Sequence, residues 1–192
     1  MARNPHAVDG FTLIEVLITL VIIAIGLLGL GGFQARMQQA EVESYDRAQA
    51  LVLLTAMVNR INANRQTAPC YAITTGAGAP YLGYADGNHA GAVNCVGFGD
   101  ASTQQLAVDD LNEWDQMIKG TAETIGAAVT GAALRARGCI SFDAVTSTYT
   151  VAVAWQGMTP SAAPAVDCGN NEYGAETLRR VISTTFRPAT LL

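Results

Sequence analysis

Proline is missing from His6 through Ala68, so nothing in that range obliges a helix to break. Histidine is scarce, with only His6 and His89 in 192 residues. His89 has no nucleophile or paired carboxylate beside it in sequence, which removes the usual signature of general acid–base or covalent catalysis. The four cysteines contain no Cys-x-x-Cys pair, so a zinc-ligand set is not expected. The glycine-rich stretch 76–89 does not follow a strand and open a helix, as a phosphate-binding loop must. The acidic residues lack the spacing of an EF-hand loop. Asp109, Asp110, Glu113 and Asp115 share one short predicted helix with Trp114 and are read as its solvated face. Lys and Arg total 11 against 16 Asp and Glu, giving a net charge of −5 and a pI near 4.9, so no nucleic-acid partner is expected in bulk. No enzymatic activity and no cofactor are expected from this inventory.

What the chain does have is an apolar run. From Val16 to Phe33 the only polar side chain is Thr19. Counted from Phe11 the stretch is about 23 residues, roughly 34 Å as a helix, enough to cross a hydrocarbon core of about 30 Å. Glu15 lies near its start. A carboxylate in such a segment costs about 2.5–3.5 kcal/mol on insertion scales, so it needs a partner or a purpose. A secretory signal would have a shorter core and a small-x-small cleavage site after Phe33, and a simple permanent anchor would leave Glu15 unexplained. Arg3 and His6, partly offset by Asp9, give a small charge bias towards a cytoplasmic N-terminus.

Gly10-Phe11-Thr12-Leu13-Ile14-Glu15, followed by that span, resembles the prepilin processing site of type IV pilins and related pseudopilins. The resemblance implies that a prepilin peptidase cuts between Gly10 and Phe11, removing residues 1–10, and that Phe11 is then N-methylated. It further implies that Glu15 of one subunit meets the Phe11 amine of a neighbour during filament assembly. Inside a low-dielectric core two opposite charges together are far cheaper than either alone.

Beyond Phe33 the pattern turns amphipathic, with Tyr45, Ala48, Leu51, Val52, Leu54, Val58 and Ile61 at three- and four-residue steps. A single helix is expected from about Phe11 to Asn62, on the order of 75–80 Å long. Residues 11–33 would form the membrane and filament-core part, and residues 34–62 an amphipathic half whose stripe faces a globular head. Gly26, Gly29, Gly31 and Gly32 each cost about 1 kcal/mol of helix propensity, marking either a hinge or melted segment or a site of close helix packing. Related filaments favour the hinge.

The head, residues 63–192, holds Cys70, Cys95, Cys139 and Cys168. An even count beyond a membrane segment implies two disulfides in an oxidising compartment. Three pairings exist; Cys70–Cys95 and Cys139–Cys168 are expected because each closes a local loop, worth roughly 3–4 kcal/mol apiece. Residues 76–89 read as an irregular loop, with Tyr81 and Tyr84 packed against the helix rather than offered to a partner. Leu106, Leu111, Trp114, Met117 and Ile118 predict a helix ended by Gly120. Cys139–Phe142, Tyr149–Trp155 and Leu178–Phe186 predict three antiparallel strands, with Asp143–Ser147 as a turn. Arg179, Arg180 and Arg187 are expected at exposed strand positions. The class is α+β: a long N-terminal helix packed on an antiparallel sheet, the layout of a type IV pilin.

Within that family, residues 11–18, the Gly26–Gly32 tract, Asp110-Leu-Asn-Glu-Trp114, Gly138-Cys-Ile140 and residues 153–156 most resemble minor pilins of the PilV kind. The resemblance implies a subunit held in the inner membrane before assembly and on the pilus afterwards. Its implied partners are other minor pilins, the major pilin and a large tip adhesin. The alternatives are a minor pseudopilin of type II secretion and a competence pilin for DNA uptake.

Overall fold

The computed structural model describes residues 10–83, 93, 95–120, 124–125, 128–129 and 135–189. Residues 1–9 of the expected leader, Tyr84 and His89 lie outside them. Two compact units meet at the Val42–Glu43 boundary. The first is helical and the second is the head, which receives the C-terminal part of the same helix.

Helix α1 runs from Leu13 to Ala63. Its opening follows from Thr12, whose hydroxyl accepts from the Glu15 N–H at 3.3 Å while its carbonyl accepts from Val16 N–H at 3.3 Å. The glycine tract stays helical, and a methyl group added at any of the four glycines would meet nothing within 4 Å. The expected melted segment is therefore absent in the single chain. Backbone hydrogen bonds are worth most where no water can replace them, and an apolar segment keeps them for that reason.

In the head, α1 buries Ala50, Leu53, Leu54, Met57 and Ile61. This corrects the phase of the expected stripe. Leu54 and Ile61 do face the core, but Tyr45, Leu51 and Val52 remain 62%, 44% and 64% exposed. The helix is apolar on more than one side, and the face chosen is the one that sets Ala50 and Met57 against the sheet.

A 3-10 segment, Arg65–Tyr71, follows, then the two-residue strand β1 (Leu82–Gly83). Helix α2 (Ala101–Lys119) opens on Asp100, whose carboxylate accepts from Ser102 N–H at 3.0 Å and Thr103 N–H at 2.9 Å, while Thr103 Oγ1 accepts from Asp100 N–H. Gly120 ends it at φ 66°, a left-handed conformation that favours glycine. The Ser102 hydroxyl and the Thr103 amide hold the Asp100 carboxyl down at about 2, against an ordinary 3.8. A depressed folded pKa stabilises above the unfolded value and is lost as pH falls through the folded one. Thermal unfolding followed from about pH 4 to about pH 2 should therefore show a loss of stability that Asp100→Asn, a non-titrating cap, flattens; a profile identical in the two proteins would remove Asp100 from the acid response.

After a separate two-strand pair, β2 (Thr124–Ile125) with β3 (Ala128–Val129), come β4 (Arg137–Asp143), β5 (Thr148–Gln156) and β6 (Arg179–Phe186). The main sheet has the order β1-β4-β5-β6 and is antiparallel throughout. The three expected strands are its body; the short edge strand β1 was not foreseen. Tyr149, Val151, Val153 and Trp155 alternate onto the helix-facing side and pack with α1, α2 and Ile140. Ala152 and Ala154 point the other way and are covered by Tyr81, Cys139, Cys168 and Tyr173. Tyr81, 1% exposed, is thus a core residue, but on the sheet face turned away from α1 and not against the helix as expected. Gly138 lies directly under Trp114: a Cβ there would sit 2.6 Å from the Trp114 Cη2 atom.

Candidate functional site: the N-terminal segment and the head that follows it

Gly10, Phe11 and Thr12 precede α1, and Glu15 occupies the third helical position. The helix N-terminus carries partial positive charge from unpaired N–H groups, so a carboxylate in the first turn is favourably placed. Phe11 is 85% exposed and Leu13 91%. Every described residue from Gly10 to Val42 is exposed in the single chain. From Phe11 to Phe33 that surface is apolar apart from Thr12, Glu15 and Thr19, and a surface of that kind belongs in lipid or against other subunits. Among the described residues no cation pairs with Glu15. α1 is long and apolar enough to cross a membrane by length and composition, and its position fits a single-pass inner-membrane anchor.

The head is held by two disulfides. Cys70 and Cys95, with Cα atoms 5.0 Å apart, tie the 3-10 segment to the loop before α2. Cys139 and Cys168, 5.7 Å apart, fasten the loop between β5 and β6 over the outer face of β4.

Several charges have roles that sequence reading did not assign. Asp110, expected on a solvated face, is 7% exposed. It accepts from the Tyr71 hydroxyl at 2.5 Å and from Arg60 at 2.7 Å, joining α1, the 3-10 segment and α2. Burial and the bond to Asp110 keep the Tyr71 phenol protonated well above its ordinary range. Asp115 accepts from Gly83 N–H at 2.7 Å, so it fixes β1. Asp109 and Glu113 are the exposed members of the four acids of α2: Gln105 donates to Asp109 at 2.9 Å and Arg60 reaches Glu113 at 2.9 Å.

Arg179 and Arg180 are likewise not exposed strand charges. Arg179, 2% exposed, donates to the carbonyls of Val166, Cys168 and Pro164 and to Glu176. Arg180 pairs with Glu43 of α1 at 2.7 Å and donates to Ser161 Oγ, Thr159 O and Thr177 O. Adjacent strand residues face opposite sides, and each arginine organises a different part of the 157–178 loop. Arg187 is exposed, as expected. The signal that was available is their adjacency at the start of a strand next to a long polar-glycine loop. Among the described residues no cluster of three or more His, Cys, Asp or Glu side chains is arranged to hold a metal.

Residues 6–31 match the family model described as the prokaryotic N-terminal methylation motif. Comparison with the curated proteins gave no match, and neither did comparison with the solved structures. With a long helix packed on a four-stranded antiparallel sheet, the motif supports a structural subunit of the type IV pilin or pseudopilin kind. It implies processing by prepilin peptidase and assembly with other pilins.

Proposed function

We propose that this chain is a minor pilin of the type IV pilus, of the PilV kind. Prepilin peptidase cuts between Gly10 and Phe11, Phe11 is N-methylated, and Glu15 accepts the amine of an adjacent subunit as the chain leaves the membrane. The observation that carries the reading is Glu15: a carboxylate with no cation partner among the described residues, in an exposed apolar helix and within the residues that match the methylation motif. In the filament the subunit takes part in priming assembly with other minor pilins and in presenting a tip adhesin.

Intact-mass analysis of the mature chain from its native host tests the processing. The expected species starts at N-methylated Phe11; one that starts anywhere else overturns the proposal. Crosslinking in the same host decides the machine, because adducts with pilus subunits support the pilus and adducts with type II secretion pseudopilins transfer the chain to that system.

A further inference from the structure

A cavity of about 510 Å³ opens at the C-terminal end of α1, lined by Arg65, Gln66, Phe142, Tyr149, Arg187 and Pro188 among others. It lies where the 3-10 segment, the ends of β4 and β5 and the residues after β6 converge. Its charge is one-sided. Among the described lining residues there are two guanidinium groups and no carboxylate. Elsewhere in the head Arg60, Lys119, Arg137, Arg179 and Arg180 each have a carboxylate partner. Arg65 is exposed with no hydrogen bond to the described residues, and Arg187 donates only to the carbonyl of Thr146. Beside them Phe142 is 44% exposed, its ring 4.7 Å from that of Tyr149. An apolar wall and two unneutralised forks stand together on a protein of net charge −5.

We propose that this cavity docks an extended acidic peptide segment of a partner protein. Its carboxylates are received by Arg65 and Arg187, and an apolar or proline side chain lies against Phe142, Tyr149 and Pro188. Guanidinium forks match carboxylate geometry in two parallel hydrogen bonds. The volume is that of a site for a few side chains. Nucleic acid is the poorer occupant, because its binding rests on neutralising several phosphates and only two cations are present on an acidic protein.

The test uses the full chain in detergent and fluorescence anisotropy of three labelled probes. These are the hexapeptide Asp-Glu-Phe-Pro-Asp-Glu, its Asn/Gln counterpart, and hexathymidylate. The acidic peptide is expected to bind, more weakly as salt rises, while the neutral peptide does not. The double variant Arg65→Gln/Arg187→Gln should weaken binding by roughly tenfold or more, as loss of charge-assisted bonds requires. Because the Arg187 bond to Thr146 also steadies the β4–β5 turn, Arg65→Gln alone is the cleaner variant, expected to weaken binding severalfold with thermal unfolding unchanged. The proposal is overturned by absence of acidic-peptide binding, by equal binding of the neutral peptide, by tighter binding of hexathymidylate, or by an Arg65→Gln protein that binds like the original.

Discussion

Glu15→Val is expected to leave cleavage after Gly10 intact while lowering recovery of the chain in sheared filaments tenfold or more. The two outcomes separate because they draw on different physics. Removing the carboxylate makes the segment easier to hold in a membrane, by about 2.5–3.5 kcal/mol, so membrane levels of the variant should equal or exceed the original. The loss falls instead on the assembled state, where the proposed neighbour's Phe11 amine would be left without its counter-charge. Breaking a buried ion pair by deleting one partner costs about 3–5 kcal/mol, and about 1.4 kcal/mol already gives tenfold. Glu15→Asp keeps the charge on a shorter arm and should fall between the two. Immunoblots of whole membranes and of the sheared fraction read both steps. Undiminished recovery of the valine variant in filaments would end the assigned role of Glu15.

The architecture was legible where one signal acted alone. Strict alternation in Tyr149–Trp155 fixed β5, since one-residue steps put Val151 and Val153 on one face and Ala152 and Ala154 on the other. Gly120 closed α2 because glycine, without a Cβ, accepts a left-handed backbone at no steric cost. Legibility failed where two faces of an element are both apolar. On α1, Leu51 and Val52 fit a three–four spacing as well as Leu53 and Met57 do, and only the sheet decides between them. It failed again for charges whose partners are distant in the chain. Nothing local tells Asp110 that Tyr71 and Arg60 will surround it, or Arg180 that Glu43 lies 137 residues away. The two-residue strand β1 carries too short a pattern to announce itself; it rests on pairing with β4 and on the Gly83 amide bonded to Asp115, both distant in the chain. The N-terminal motif was the most readable part, because it is carried by consecutive residues and not by tertiary contacts.

Trp114→Ala is expected to cost the head about 3–5 kcal/mol, the range for deleting a large buried aromatic. Trp114 is fully buried, and its indole N–H donates to the Leu53 carbonyl at 2.9 Å, linking α2 to α1. The edge of its ring lies over Gly138, the one position of β4 where a Cβ would collide with it. Alanine would leave a void between three elements that the sheet cannot close, since Gly138 has no side chain to move in. Against a typical total stability of about 5–15 kcal/mol the loss is large, and at about 2–4 °C per kcal/mol for a domain of this size the midpoint should fall by about 6–20 °C. Trp114→Phe separates the two contributions. It keeps most of the volume and gives up the bond to Leu53, so a smaller loss of about 1–2 kcal/mol is expected. Trp155, the other tryptophan, is 4% exposed beneath the same core and reports unfolding by fluorescence in both variants. A Trp114→Ala protein melting within a degree or two of the original would mean that α1, α2 and β4 are not joined through this ring.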